Sequence, residues 1–281
     1  MTVDAHAHLW DTGGFAHDWL GEPGLERIDR DFGPGDYPDE LASDLTGRVL
    51  VQALPDPRET EWLCGIAAAG PVPTAVTGWA DLLRPDALTA VLERLQAAPG
   101  GGRLRAIRPM VQNEPLAGWY DQAPVRASAR ILARRGLGLE LLIRERDWAG
   151  CLRLVDAVPE GLYILDHLGK PAVMAAGPGA AWRSFITELS RRDRTVVKVS
   201  GLLTECDSPD PRASMIAPYV EHALGSFSLQ RCMYGSDWPV ALLAADDPTR
   251  WSTMLAGIVG GHDRDLFTRT ARRIYTLEEH P

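Results

Sequence analysis

The chain alternates between short apolar runs and longer stretches with helical spacing. Apolar runs fall at residues 49–54, 75–82, 104–112, 136–143, 163–167, 196–202 and 232–240, and an opening run over 3–10 makes eight. Continuous apolarity of this length is expected of strands buried on both faces, as in a parallel sheet. Between the runs, Leu88, Val91, Leu92 and Leu95 follow the i, i+3, i+4, i+7 spacing of a helix face, and so do Trp182, Phe185, Ile186 and Leu189. Weaker helical patterns cover 58–69, 124–135, 146–158 and 213–224, and 263–277 reads as a terminal helix. Strands alternating with helices over this length predict an α/β chain folded as a single (β/α)8 TIM barrel over residues 1–281. No self-similar period suggests a solenoid.

One segment breaks the rhythm. Residues 11–44 are rich in Gly, Pro and Asp and lack sustained periodicity, yet Trp10, Phe15, Trp19, Phe32 and Tyr37 lie in or beside them. Those aromatics predict a partly ordered loop that covers something. His17 and Asp18 are either substrate contacts or plain surface residues.

In such a barrel, chemistry sits at the carboxyl ends of the strands. Alternation along the first strand sends His6 and His8 to one face, with Val3, Ala5, Ala7 and Leu9 on the other. Two converging imidazoles suit a divalent metal such as zinc, or are simply polar residues at a strand end. His167 shares a face with Tyr163 and Leu165 and joins the pair if that face is interior, while neighbouring Asp166 either fixes a histidine tautomer or accepts backbone N–H bonds. Glu140 lies opposite the bulky residues 137, 139, 141 and 143, where an ionised carboxylate demands a cation. Metal ligation and a salt bridge both satisfy it. Asp237 aligns with Gly235, and Pro239 ends that strand.

Further interior candidates are Gln52, Trp79, Asp81, Arg108, Gln112 and Lys198. Arg108 and Gln112, four apart, fall on one face, and the Arg fork can polarise a carbonyl or hold a carboxylate. Lys198 and Asp81 read as members of an interior polar network.

Composition narrows the partners. The 281 residues are 45% hydrophobic and 24% charged, as in an ordinary globular protein. With 29 basic against 38 acidic residues the formal net charge is -9, which argues against a general binder of nucleic acid or anionic membrane. No basic leader with an apolar stretch opens the chain, and no run approaches the roughly 18 apolar residues that span a bilayer. A cytoplasmic protein is expected. Cys64, Cys151, Cys206 and Cys232 are too dispersed for a zinc ribbon or a disulfide framework, and buried free thiols are expected.

The His6-Ala7-His8 opening, the run Asp166-His167-Leu168-Gly169-Lys170-Pro171, Lys198-Val199-Ser200-Gly201-Leu202 and Gly235-Ser236-Asp237-Trp238-Pro239 together resemble the amidohydrolase superfamily. More narrowly they resemble its sugar-lactonase branch, which includes L-fuconolactonase and L-rhamnonolactonase, and more distantly 2-pyrone-4,6-dicarboxylate lactonase. The resemblance implies a hydrolase that opens a lactone with water. It implies His6, His8, His167 and Asp237 as ligands of one divalent metal, zinc, with Glu140 a further candidate, although the pyrone-lactonase type requires no metal. Asp237 would be the general base, and Arg108 or His167 would meet the oxyanion. Gln112, Trp119, Trp238 and Gln52 would contact the sugar. Strand five offers Glu140 where the wider family commonly has a His, and no carbamylated Lys is evident, so a binuclear site is not expected. The rival readings are a metal-dependent decarboxylase or other superfamily hydrolase of a small carboxylic acid, and a non-catalytic metal or sugar-acid binding barrel.

Overall fold

The computed structural model describes residues 1–112 and 118–277. Eight parallel strands follow one another around a sheet in chain order: β1 (Thr2–Ala7), β2 (Leu45–Val51), β3 (Thr74–Gly78), β4 (Leu104–Ile107), β5 (Gly138–Leu141), β6 (Tyr163–Leu165), β7 (Thr195–Val199) and β8 (Cys232–Tyr234). A parallel bridge from Ala7 to Trp238, with His8 N–H donating to the Trp238 carbonyl at 2.6 Å, brings the end of β8 back to β1. The expected (β/α)8 barrel is therefore present.

Outside it lie α1 (Asp39–Ala42), α2 (Pro57–Ala69), α3 (Pro85–Ala97), α4 (Ala123–Arg134), α5 (Trp148–Ala157), α6 (Ala180–Ser190), α7 (Ala213–Phe227), α8 (Arg250–Val259) and α9 (Thr270–Tyr275). Outward strand residues such as Leu50, Val76, Ile107, Leu139, Leu165 and Val197 pack on the apolar faces of these helices in one large cluster. The alternate positions Val49, Ala75, Ala106, Ile164, Val196 and Met233 fill the barrel interior, plugged at one end by Tyr275 and Leu277. Burying each such side chain contributes about 1.5–3 kcal/mol before conformational entropy is subtracted.

Several strands are shorter than the apolar runs, because the carboxyl end of each run leaves the sheet to build the site. The helix at Arg250–Val259 has no counterpart in the sequence reading; Trp251 and Leu255 are its only buried residues, too few for a periodic signal. The terminal helix is π-helical over Asp265–Arg269 before turning α-helical.

The segment 11–44 packs through its apolar residues over the barrel end, covering it as the aromatics predict. Its Leu20, Ile28, Phe32, Tyr37 and Leu41 form a separate apolar cluster with Ala7, Trp10, Ala53 and Trp238. The Trp10 ring meets Trp19 and Phe32 edge-on, at 5.4 and 5.3 Å between centroids. This cluster roofs one side of the barrel mouth.

Candidate active site

Strict alternation does not hold along β1. Between Asp4 and Ala7 the strand carries one residue more than β2 does between the partners Arg48 and Leu50, which is a β-bulge. Val3 and Ala5 accordingly join the barrel interior, in contrast to the alternation expected from sequence, while Asp4 points outward. Past the bulge His6 and His8 turn inward together. Asp4 is the brace that makes the bulge tolerable: its carboxylate accepts from His6 N–H at 3.1 Å, Ser236 N–H at 2.8 Å, Ser236 Oγ at 2.5 Å and Tyr37 OH at 2.8 Å. Gly235 is required beside it, since a Cβ there would lie 2.7 Å from His6 Cβ.

The histidines surround one carboxylate oxygen. Asp237 Oδ1 stands 3.8 Å from His6 Nε2, 3.7 Å from His8 Nε2 and 4.0 Å from His167 Nε2. His6 and His8 approach through their Nε2 atoms at 3.2 Å, and the rings of His6 and His167 are 4.4 Å apart. His8 donates from Nδ1 to the Val51 carbonyl at 2.8 Å, which leaves its Nε2 lone pair facing Asp237. Ser200 Oγ bonds His167 Nδ1 at 2.9 Å, and Gly201, at φ +64°, gives that ring room that a Cβ would take. Two site residues hold left-handed backbone that costs energy for a non-glycine: His167 at φ 53° and Asp237 at φ 59°.

Beneath this centre lies a layer of buried charge. Lys198 Nζ donates to Glu140 at 2.7 Å, lies 3.2 Å from Asp166 and reaches His6 Nδ1 at 3.1 Å. Glu140 also accepts from Thr77 at 2.6 Å and from Tyr275 OH. Glu140 thus makes the salt bridge that was one of its two readings: its oxygens accept from Lys198, Thr77 and Tyr275. Lys198 belongs to the polar network expected of it, but it also touches His6, which the sequence reading did not foresee. Arg108 lies 3.4 Å from both Asp166 and His6, and it donates to the Gln52 carbonyl. Burial by itself would raise Asp166, but the Lys198 and Arg108 charges outweigh it and hold the carboxyl below its usual range.

Burial, reinforced by neighbouring Lys198, pushes His6 well below the ordinary histidine range, and burial with His6 beside it does the same to His167. Both are neutral imidazoles in the fold. Unfolded, they protonate near pH 6.5. Below that pH the unfolded chain binds more protons than the native one, so stability falls as pH drops from 7 toward 5. Thermal melts across this range are expected to show that loss, with a shallower slope in His167→Gln; a flat wild-type profile contradicts the neutral assignment.

A cavity of about 530 Å3 opens above the site, lined on one side by Trp19, Leu25 and Ile28 of the long loop and on the other by Arg144, Lys170 and Glu205, with His8, Arg108, His167 and Asp237 at its floor. Gln112 lines it, and its Oε1 is buried without a partner among the described residues. The other expected sugar contacts do not. Gln52 is spent on Arg108, donating to its carbonyl at 2.7 Å. Trp119 lines a neighbouring 150 Å3 cavity with Trp79 and Asp81, and Trp238 packs edge-on against Phe32 at 5.7 Å. His17 faces α2, 3.7 Å from Glu59, and Asp18 is exposed. Glu205 and Lys170 form an ion pair at 3.3 Å; Lys170 stands in the 166–171 run, where the sequence assigns it no role, and Glu205 carries no sequence signal beyond its charge.

The donors suit one divalent ion. Ligand atoms of His6, His8 and Asp237 lie within 4.8 Å of one another, and all three residues are buried. A second group of His6, Asp166 and His167 meets the same spacing, but Asp166 is already paired with Lys198 and Arg108.

Comparison with known proteins gives a consistent picture. The Amidohydro_2 family model, described as amidohydrolase, matches residues 3–277. An L-fucono-1,5-lactonase of Burkholderia ambifaria is 33% identical over 243 residues, 86% of this chain and 81% of that one. One from Burkholderia multivorans is 31% identical over 295 aligned residues, 99% of this chain and 97% of that one. A crystal structure of an amidohydrolase from Burkholderia multivorans with bound zinc superposes with a TM-score of 0.86 at 30% identity, covering 99% of this chain and 100% of that one.

Proposed function

The chain belongs to the amidohydrolase family, and from that membership we propose that it hydrolyses a sugar lactone, L-fucono-1,5-lactone or a close aldonolactone relative, to the free acid. The observation that carries this reading is the Asp237 carboxylate set among three imidazoles and beside Arg108, at the floor of a cavity large enough for a hexose ring.

Ring opening needs a base for water, a partner for the carbonyl oxygen as it becomes an oxyanion, and an acid for the departing ring oxygen. Asp237 is the base: it takes a proton from a water seated among His6, His8 and His167. Arg108, pinned by Gln52 and Asp166, turns its guanidinium toward the carbonyl oxygen and stabilises the charge that develops there. Asp237, now protonated, returns the proton to the ring oxygen as the acyl bond breaks. Gln112 offers its unpartnered Oε1 to a sugar hydroxyl, and Glu205 offers a carboxylate at the rim. Where a divalent metal is bound, His6, His8 and Asp237 would hold it with His167 close by, and a zinc ion would supply a Lewis acid and lower the pKa of its water to about 7. Elemental analysis beside chelator treatment checks this part: zinc lost in step with activity supports it, and full activity without metal leaves the histidines as direct polarising donors.

Arg108→Met removes the oxyanion partner and is expected to cut kcat by about 10²–10³-fold with a smaller change in KM. A change confined to KM would make Arg108 a binding residue only. The substrate class is tested with a panel of five- and six-membered aldonolactones together with aromatic carboxylic acids, with spontaneous ring opening subtracted. Preference for the aldonolactones is expected; carbon dioxide release from an acid, with no lactone turnover, would move the chain to the decarboxylase reading.

A further inference from the structure

The buried cations of the barrel have acceptors, except one. Arg108 is served by Gln52 and Asp166, and Lys198 by Glu140 and His6. The Arg48 side chain, on the outward face of β2 and only 5% exposed, makes neither a hydrogen bond nor an ion pair among the described residues; the Asp4 charge reaches it only at a distance, and its Nε is buried with no partner. Its guanidinium carbon lies 5.0 Å from the centroid of the Tyr37 ring. A cation–π contact returns only part of what desolvating a guanidinium costs. A guanidinium placed here without a hydrogen-bonded or ion-paired acceptor points to an anion that binds from outside the chain.

Arg48 borders a cavity of about 510 Å3 under the long loop, which shares no lining residue with the cavity above Asp237. Its walls are apolar, formed by Leu45, Ile66, Ala69, Pro71 and Val72, with exposed Asp39 also at the border. We propose that this cavity is a second binding site, for a small organic carboxylate with an apolar body, its carboxylate held by the Arg48 fork and its body against these walls. One guanidinium matches the two oxygens of a carboxylate. A phosphate dianion would want more donors than the single guanidinium on these walls, and Asp39 would repel it more strongly. The site also shares Tyr37 with the brace of β1, since the Tyr37 hydroxyl donates to Asp4.

Benzoate is the probe, with inorganic phosphate beside it, titrated calorimetrically into the intact protein and soaked into its crystals. Binding of one benzoate is expected, with density against Arg48, unchanged in Arg108→Met and weakened at least about tenfold in Arg48→Met. Ala69→Glu alters an exposed wall position that cannot threaten the fold and is expected to abolish binding by adding a carboxylate to the cavity. If Arg48 only supports Tyr37 and the end of α2, benzoate leaves the wild type unbound and Arg48→Met lowers the melting temperature; that pair of results overturns the proposal. Benzoate lost in Arg108→Met but kept in Arg48→Met, or phosphate bound more tightly than benzoate, also overturns it.

Discussion

Asp237→Asn is expected to lose lactone turnover by about 10³-fold or more while folding as the wild type does, because it removes the group that takes and returns the proton. The choice of Asn matters. Asp237 holds φ at 59°, a region that Asn tolerates nearly as well as Asp, so the replacement adds little backbone strain. Its backbone N–H bond to the His6 carbonyl at 2.8 Å is untouched. An Ala variant would mix lost chemistry with strain at the same position. The comparison of kcat with melting temperature separates the two effects. A variant with near-wild-type kcat would remove Asp237 from the role of base, whatever the histidines around it do.

The second large effect is on stability. Lys198, Glu140 and Asp166 are fully buried, and Lys198 is the cation that both carboxylates face. Truncation to Met leaves two carboxylates in the barrel with only Arg108, Thr77 and Tyr275 to serve them. Breaking a buried pair from one side typically costs about 3–5 kcal/mol, which for a chain of this size corresponds to a fall in melting temperature of order 10 °C. The double variant Lys198→Met, Glu140→Gln removes one stranded charge and is expected to recover part of the loss. No recovery would mean that Lys198 acts through Asp166 and His6 alone.

Much of this architecture is legible along the chain because a parallel barrel writes itself in long apolar runs, each buried on both faces. The histidine and aspartate positions are legible for the same reason: a polar residue at the end of such a run has few places to go but the mouth of the barrel. What is not legible depends on contacts across the barrel. The bulge in β1 is set by Asp4 meeting Ser236 and Tyr37, residues 232 and 33 positions away, and nothing local to Val3-Asp4-Ala5-His6 announces it. Glu140 offers the same pattern whether it meets a metal or Lys198, and only the registers of β5 and β7 against the β6 strand between them decide. Trp119 and Trp238 carry the signature of a sugar platform, yet each spends its ring on packing. Gln52 is polar at the right depth but is consumed in fixing Arg108. Glu205 and Lys170, which do line the cavity, sit in loops whose course no periodicity predicts.

If the site around Asp237 opens a sugar lactone with water, L-fucono-1,5-lactone releases protons at neutral pH faster than it opens spontaneously. Followed continuously and corrected for that background, the rate is expected to be saturable, proportional to wild-type enzyme and nearly absent with Asp237→Asn; a rate no greater than the spontaneous one with wild-type protein, across the aldonolactones, rules lactone opening out.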